Sequence, residues 1–150
     1  MIKVIDGKNK ETARDILKVQ LPAYQVEAEL IGYNGIPALR DTVETLQASG
    51  ETFFGYYEEN LLCGILACKT LKDVIDVHRL IVYPKHFRKG IAGQLLRFVE
   101  GYYPEAKRLQ VATAAKNKPA IQFYQKHGFQ QVSESIVDAA LTLVYLEKVL

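Results

Sequence analysis

The stretch that decides the fold is VIDVHRLIVYP, residues 74–84, followed at once by HFRKGIAGQLL, His86–Leu96. The first segment is a long β-rich run closed by a proline that cannot continue a ladder. The second is a short polar loop opening into apolar residues at helical spacing, Ile91, Leu95, Leu96, Val99 and Tyr102. A strand, a loop and a helix opening at Gly90 aim several unpaired backbone N–H groups at one point, backed by the positive end of the helix dipole. Such a mouth binds anions. Gly90 and Gly93 let the backbone approach a ligand, Ala92 nearly so, and Arg88 and Lys89 add positive charge at the rim. A pyrophosphate is a natural occupant. Two familiar phosphate loops fit poorly: G-x-x-x-x-G-K-[ST] is absent, and G-x-A-G lacks the glycine spacing of the dinucleotide fingerprint. By itself the loop also fits an ordinary helix start with solvated cations.

Outward from this unit, the chain alternates. IKVID reads as a strand, and Asn9 caps a helix with the face Ala13, Ile16, Leu17 and Gln20/Leu21, which Pro22 is expected to kink or break. A second helical piece ends near Gly32, and another helix is expected from Pro37 to an exit at Gly50. ETFFGYYEENLLCGILACK reads as a hairpin turning at EEN. Beyond the central unit come a strand in RLQVATAA, a short helix, and one or two closing strands in SIVDAALTLVYLEKVL. No repeat, linker or low-complexity segment appears, so residues 1–150 are expected to form a single domain.

The short helix carries a second signal, NKPAIQFYQKHGF, residues 117–129. Asn117 is a good N-cap, Pro119 is tolerated in the first turn and Gly128 is a good stop, which predicts a helix from about Lys118 to His127. Asn117, Ile121 and Tyr124 then share one face. An isolated tyrosine there would ordinarily be a core aromatic with its hydroxyl at the surface.

Together, RLIVYPKHFRKGIAGQLL and NKPAIQFYQKHGF resemble the paired acetyl-CoA-binding motifs of the GNAT superfamily of N-acetyltransferases. The family's phosphate loop has the form Gln/Arg-x-x-Gly-x-Gly/Ala, matched at Gly90 and Ala92. Its later helix commonly reads N-x-x-A-x-x-F-Y-x-K-x-G-F, matched at Asn117, Ala120, Phe123, Tyr124, Lys126, Gly128 and Phe129. Phe87 departs from the pattern at the first loop position, beside Arg88, which keeps a cation. The motif match runs from about Val74 to Phe129; before it only the order of elements agrees.

The resemblance implies an α/β (α+β) three-layer fold, a mixed sheet of about six or seven strands flanked by helices. It implies acetyl-CoA as donor, held by Leu80, Ile81 and Val82 of the strand, by Phe87, Arg88, Lys89, Gly90, Ile91, Ala92, Gly93 and Gln94 of the loop and helix, and by Asn117, Ala120, Phe123 and Tyr124. Direct attack of a primary amine on the thioester needs a proton acceptor, an oxyanion donor and an acid for the leaving thiolate. Tyr124 matches the family's acid, and a main-chain N–H near Val82 would meet the oxyanion. Asp76 and His78 are the candidate bases, with relay through water as the remaining option. On a regular strand Asp76, His78, Leu80 and Val82 would share one face, with Arg79 opposite and structural. The alternative is a module that binds CoA or acyl-CoA without turnover, which would not need a phenol at the thiol.

Composition narrows the partners. The 150 residues carry 19 basic and 17 acidic side chains, a net charge of +2 too small and dispersed for a nucleic-acid surface. Cys63 and Cys68 read as buried reduced thiols on opposite faces of a strand, and no Cys or His pair completes a metal set. The start MIKVIDGKNK has no long apolar stretch and no run approaches roughly 18 apolar residues. A protein that is soluble and cytoplasmic, with no membrane partner, is expected. Dimerisation is common in the family, though the sequence shows no interface. In the family the acceptor cleft lies between the early helices and last strands, where Glu27, Glu29, Tyr33, Glu44 and Tyr145 could line it. The acceptor could be a small amine, an amino acid, a peptide N-terminus or a lysine side chain.

Overall fold

The computed structural model describes residues Met1–Leu150. Its strands are β1 (Ile2–Ile5), β2 (Thr52–Glu58), β3 (Leu61–Leu71), β4 (Val74–Val82), β5 (Arg108–Ala114), β6 (Gln130–Asp138) and β7 (Leu141–Val149). Its α-helices are α1 (Lys10–Ile31), α2 (Val43–Gln47), α3 (Ile91–Tyr102) and α4 (Lys118–Lys126). The strands form one mixed sheet in the order β1-β2-β3-β4-β5-β7-β6. Only the β4–β5 pair is parallel, and α3 makes the crossover that a parallel neighbour requires. The GNAT-like α/β architecture expected from the motifs is the one observed.

Two apolar clusters cover the two faces. On one, Leu95, Leu96 and Val99 of α3 and Tyr124 of α4 pack on Phe54, Leu66, Ile75 and Leu109. On the other, Ala13, Ile16, Val19 and Ala23 of α1 and Leu46 of α2 pack on Phe53, Ile65, Ala67 and Ile81. Burying each larger side chain is worth about 1.5–3 kcal/mol against leaving it in water. No helix is long and apolar enough to cross a membrane.

Several local expectations change. Pro22 does not break α1, which runs unbroken from its Asn9 cap to Gly32. The apolar stripe through Ala13, Ile16, Val19 and Ala23 continues past the proline, and its packing outweighs the one backbone hydrogen bond that proline forgoes. The helix expected after Pro37 divides into a 3-10 turn, Pro37–Arg40, and the short α2. Asp41 is extended between them, its carboxylate taken by Arg79 and Gln20, and Thr42 caps the new helix with a reciprocal bond to Thr45. The closing segment is two strands, with β6 starting at Gln130, ahead of the serine where the sequence pattern begins. Tyr102 is 47% exposed and leaves the inner face of α3 to Ile91, Leu95, Leu96 and Val99.

Bulges matter most. Pairing slips from Tyr56↔Gly64 to Tyr57↔Leu62, leaving Cys63 as an extra residue, so Cys63 and Cys68 face the same cluster rather than opposite sides. Both thiols are free and buried, and burial pushes the Cys68 thiol up to about 11. Pairing slips again from Ala67↔Arg79 to Cys68↔Val77, leaving His78 as the extra residue of β4. That second slip reshapes the site.

Candidate active site

The parallel ladder between β4 and β5 runs from Val74↔Arg108 to Val77↔Val111 and stops there. Beyond Val77 the two strands diverge, and the β5-facing edge of Leu80–Val82 has no strand partner. Into this fork opens a cavity of about 530 Å³ lined by Leu80, Ile81 and Val82, by the loop before α3, and by α1 and α4.

The loop turns sharply into the helix N-terminus. Arg88 and Gly90 both have positive φ, at 64° and 76°, and Gly90 is the N-cap of α3. The first intrahelical bond is Gln94 N–H to Gly90 C=O at 3.1 Å, so the N–H groups of Ile91, Ala92 and Gly93 precede it. A left-handed backbone at Gly90 suits glycine, and Gly93 is needed for a different reason. A Cβ on Gly93 would lie 2.8 Å from His127 Nε2, so its absence lets α3 approach α4.

Of the residues expected to hold the donor, Leu80, Ile81, Val82, Phe87, Arg88, Gly90, Ile91, Ala92, Gly93, Asn117, Ala120, Phe123 and Tyr124 line this cavity. Lys89 and Gln94 do not. The Lys89 ammonium turns away to His86 Nδ1, 3.1 Å, and Glu58, 3.7 Å. Glu58, Cys63 and His86 bring ligand-type atoms within 4.8 Å of one another, but that cluster already has its cation in Lys89.

Tyr124 is 6% exposed and wedged edge-on against Phe123 and Phe129. Every fully buried side-chain polar atom is hydrogen-bonded, and the Tyr124 hydroxyl makes no bond to protein, so the phenol reaches the cavity. Burial and the nearby Glu27 carboxylate push its pKa well above the ordinary range, keeping it protonated. Asn117 Oδ1 accepts from Ala120 N–H at 3.2 Å, and its Nδ2 donates to Glu27 Oε1 at 2.7 Å. That bond joins α1 on one face of the sheet to α4 on the other, through the fork where the sheet has parted. Burial raises the pKa of Glu27, and the Asn117 bond partly offsets it. Tyr24, one helical turn before Glu27, is also raised, by burial and then by Glu27, with Arg79 opposing.

A second cavity, of about 740 Å³, lies on the α1 side between the Pro37–Arg40 turn and β7. Tyr24, Asp41, Glu51, Asp76, His78, Arg79, Tyr145 and Glu147 are among its lining residues. The bulge at His78 explains the grouping. A regular strand would align Asp76 with Leu80 and Val82; instead Leu80 and Val82 pack on the α3 side, as Ile75 and Val77 do, and Asp76, His78 and Arg79 meet in this second cavity. Arg79 therefore does not oppose Asp76 and His78 as expected. His78 Nε2 lies 3.1 Å from Asp76 Oδ2, and His78 Nδ1 lies 3.8 Å from Glu51. Arg79 grips Glu51 with two bonds, 2.9 and 3.0 Å, and also bonds Asp41 and Gln20.

Of the residues named for the acceptor cleft, Tyr145 lines this second cavity and Glu27 lines the first, whereas Glu29, Tyr33 and Glu44 line neither. The Tyr33 hydroxyl instead donates to Asp138 at 3.2 Å, tying the end of α1 to the β6–β7 turn. Sequence reasoning placed Gln20 on the inner face of α1 but missed its bonds to Arg79 and Asp41, and it missed Tyr24 and the Glu27–Asn117 bond.

Solved structures share the fold. An acetyltransferase from Thermus thermophilus superposes with a TM-score of 0.80 at 22% identity, covering 100% of this chain and 97% of that one. The PaiA N-acetyltransferase of Thermoplasma acidophilum, determined in complex with coenzyme A, gives 0.78 at 16% identity over 100% and 99%. The ribosomal-protein-S18-alanine N-acetyltransferase of Escherichia coli gives 0.78 at 13% identity over 99% and 92%. In sequence the chain is 42% identical over 131 residues to the UPF0157 protein YqkA of Bacillus subtilis, covering 87% of this chain and 38% of that protein. The chain thus matches about two-fifths of that relative's length, and the relative's name specifies no substrate. The family model for the acetyltransferase (GNAT) family matches residues 14–129, the span that holds most of α1, the forked β4, the loop before α3 and Tyr124. With the fold and the motif helices in agreement, the chain belongs to the GNAT acetyltransferase family.

Proposed function

We propose that this protein transfers the acetyl group of acetyl-CoA to a primary amine by direct attack on the thioester. The observation that carries this reading is the fork itself: one cavity holds the free edge of β4, the amide cradle of α3 and the Tyr124 phenol. The pyrophosphate would sit on the N–H groups of Ile91, Ala92 and Gly93 with Arg88 at the rim. The pantetheine arm would run along Leu80–Val82, using backbone groups that no strand pairs. The Thermoplasma neighbour bound to coenzyme A supports the choice of ligand.

The chemistry then divides between the two cavities. The amine enters from the one lined by Asp76, His78 and Tyr145, and the thioester lies in the one lined by Tyr124. A main-chain N–H near Val82 would meet the developing oxyanion, and the Tyr124 phenol would protonate the departing thiolate. The Asp76–His78 pair, on the acceptor side, would receive the amine's surplus proton through water and pass it to solvent. Tyr124 also favours catalysis over simple binding, since a binding module gains nothing from a free phenol at the thiol.

The test is thiol release from acetyl-CoA across a panel of small amines, amino acids and peptides, comparing wild type with Tyr124→Phe. Turnover by wild type and its near loss in the variant, with CoA affinity retained, is the expected result. Equal rates in both proteins would remove Tyr124 from the mechanism. Binding of acetyl-CoA with no turnover of any amine would leave the protein a CoA-binding module.

A further inference from the structure

Glu27 is a carboxylate in an unusual place. It belongs to α1, which covers one face of the sheet, yet it reaches through the fork to the N-cap of α4 on the other face. It lines the cavity of Tyr124, while Tyr24, one turn earlier on the same helix, lines the cavity of Asp76 and His78. Asn117 satisfies one oxygen at 2.7 Å, and no protein donor bonds the other. No cation pairs with it, since Arg79 is held by Glu51, Asp41 and Gln20.

We propose that Glu27 takes the proton from the acceptor ammonium at the junction of the two cavities, ahead of the Asp76–His78 pair. This deepens the acetyltransferase reading and rests on it. In the balanced step, one N–H proton of the ammonium passes to the Glu27 carboxylate and the freed nitrogen lone pair attacks the thioester carbonyl carbon. The C–N bond forms, and the C–S bond breaks. The second N–H proton replaces the one that the Tyr124 phenol gives to the thiolate, so Tyr124 ends as it began. Glu27 then loses its proton to solvent past Asp76 and His78. A base must be strong enough to take the proton and weak enough to be ionised at working pH. Burial of Glu27 lifts it from the ordinary carboxylate range in that direction, against the Asn117 bond. Burial and the Asn117 bond set its shift; the titratable and charged groups that face it are Tyr124 on α4, Tyr24 on α1, and His86 and Arg88 in the shared cavity, with Arg79 and Glu51 close enough to Tyr24 to act on that phenol.

Glu27→Gln is the decisive variant, because a glutamine oxygen can still accept from Asn117 and keep the tether. Steady-state rates are measured against pH for wild type, Glu27→Gln and Asp76→Asn, with acetyl-CoA affinity measured by calorimetry for each. The expected result is a fall in kcat of about 100-fold for Glu27→Gln with KM for acetyl-CoA unchanged, shrinking as the pH rises and the amine arrives deprotonated. Asp76→Asn should cost less. A Glu27→Gln rate close to wild type, a loss constant at every pH, or a larger loss in Asp76→Asn would each overturn the assignment. Wild-type turnover separates the two levels: if wild type acetylates amines while Glu27→Gln is unaffected, only the role of Glu27 fails. If wild type binds acetyl-CoA and turns over no amine, both fail.

Discussion

The two cavities on either side of the fork are built differently. The α3-side cavity, assigned above to the donor, offers backbone groups: a free strand edge, the N-terminus of α3 and left-handed residues, with the stretch Leu80–Gly93 supplying much of its lining. The second cavity, assigned above to the acceptor, is walled by side chains from α1, the Pro37–Arg40 turn, β4, β5, β6 and β7, with Asp41, Glu51, Asp76, His78, Arg79 and Glu147 among them and the Arg79 network holding Asp41 and Glu51. A backbone cradle suits a ligand shared by a whole family, and a wall of side chains can change from one relative to the next. The difference predicts that substitutions in the α3-side cavity act on cofactor binding or on the chemical step, and those in the second cavity on stability, choice of amine and, at Asp76 and His78, removal of its proton.

The largest effect should come from Tyr124→Phe. Loss of the acid should lower kcat by about 100-fold or more while calorimetry shows CoA affinity within a small factor of wild type. A comparable fall in affinity would mean that the phenol binds rather than reacts.

Next is Arg79→Met, which leaves the Asp41 and Glu51 carboxylates facing each other without their cation. Breaking such a mostly buried network typically costs about 3–5 kcal/mol, which in a chain of this size lowers Tm by roughly 10 °C in calorimetry. An unchanged Tm would show that the network is not structural. The cofactor cradle gives a smaller effect. Gly90→Val puts a β-branched side chain at φ 76°, a strain of about 1–2 kcal/mol, and should weaken acetyl-CoA binding by roughly tenfold.

Acid should separate the two sides by sign. Burial would raise Asp41, but bonds from Arg79, Thr45 and Gln20 hold it below the ordinary carboxylate range. Its contribution to stability is thus present above the unfolded pKa, near ~3.9, and is lost as the pH falls through its lower folded value. Glu27 works the other way: its folded pKa is raised, so its protonated form favours the fold and stability is lost as pH rises through that value. Denaturant titrations against pH should show Asp41→Asn flattening the acid side and Glu27→Gln removing the loss above it. The smallest effect is expected from Glu29→Gln, since Glu29 lines neither cavity, and kcat/KM should not move.

Much of the lining of the α3-side cavity was legible because it comes from two local segments. Gly90 and Ala92 lie in one short segment and Asn117 through Phe129 in another, and helix caps and β-runs place both segments. The acceptor side was not, for two physical reasons. One extra residue at His78 reverses the alternation of β4, and no pattern of apolar and polar residues announces where a strand will bulge. Gln20, Asp41, Glu51 and Arg79 also meet only after the sheet and α1 have packed, so their spacing along the chain says nothing of the contact. Pro22 taught a related lesson, since packing of the α1 stripe overrode a strong local breaker.

The central claim is that the cradle before α3 holds the pyrophosphate of acetyl-CoA, and titration calorimetry of the purified protein with acetyl-CoA, CoA, ATP and NAD tests it most directly. The account predicts saturable binding of acetyl-CoA and CoA at micromolar or tighter strength, with ATP and NAD far weaker. Failure of both CoA species to bind, or binding of ATP or NAD as tight as that of acetyl-CoA, would contradict it.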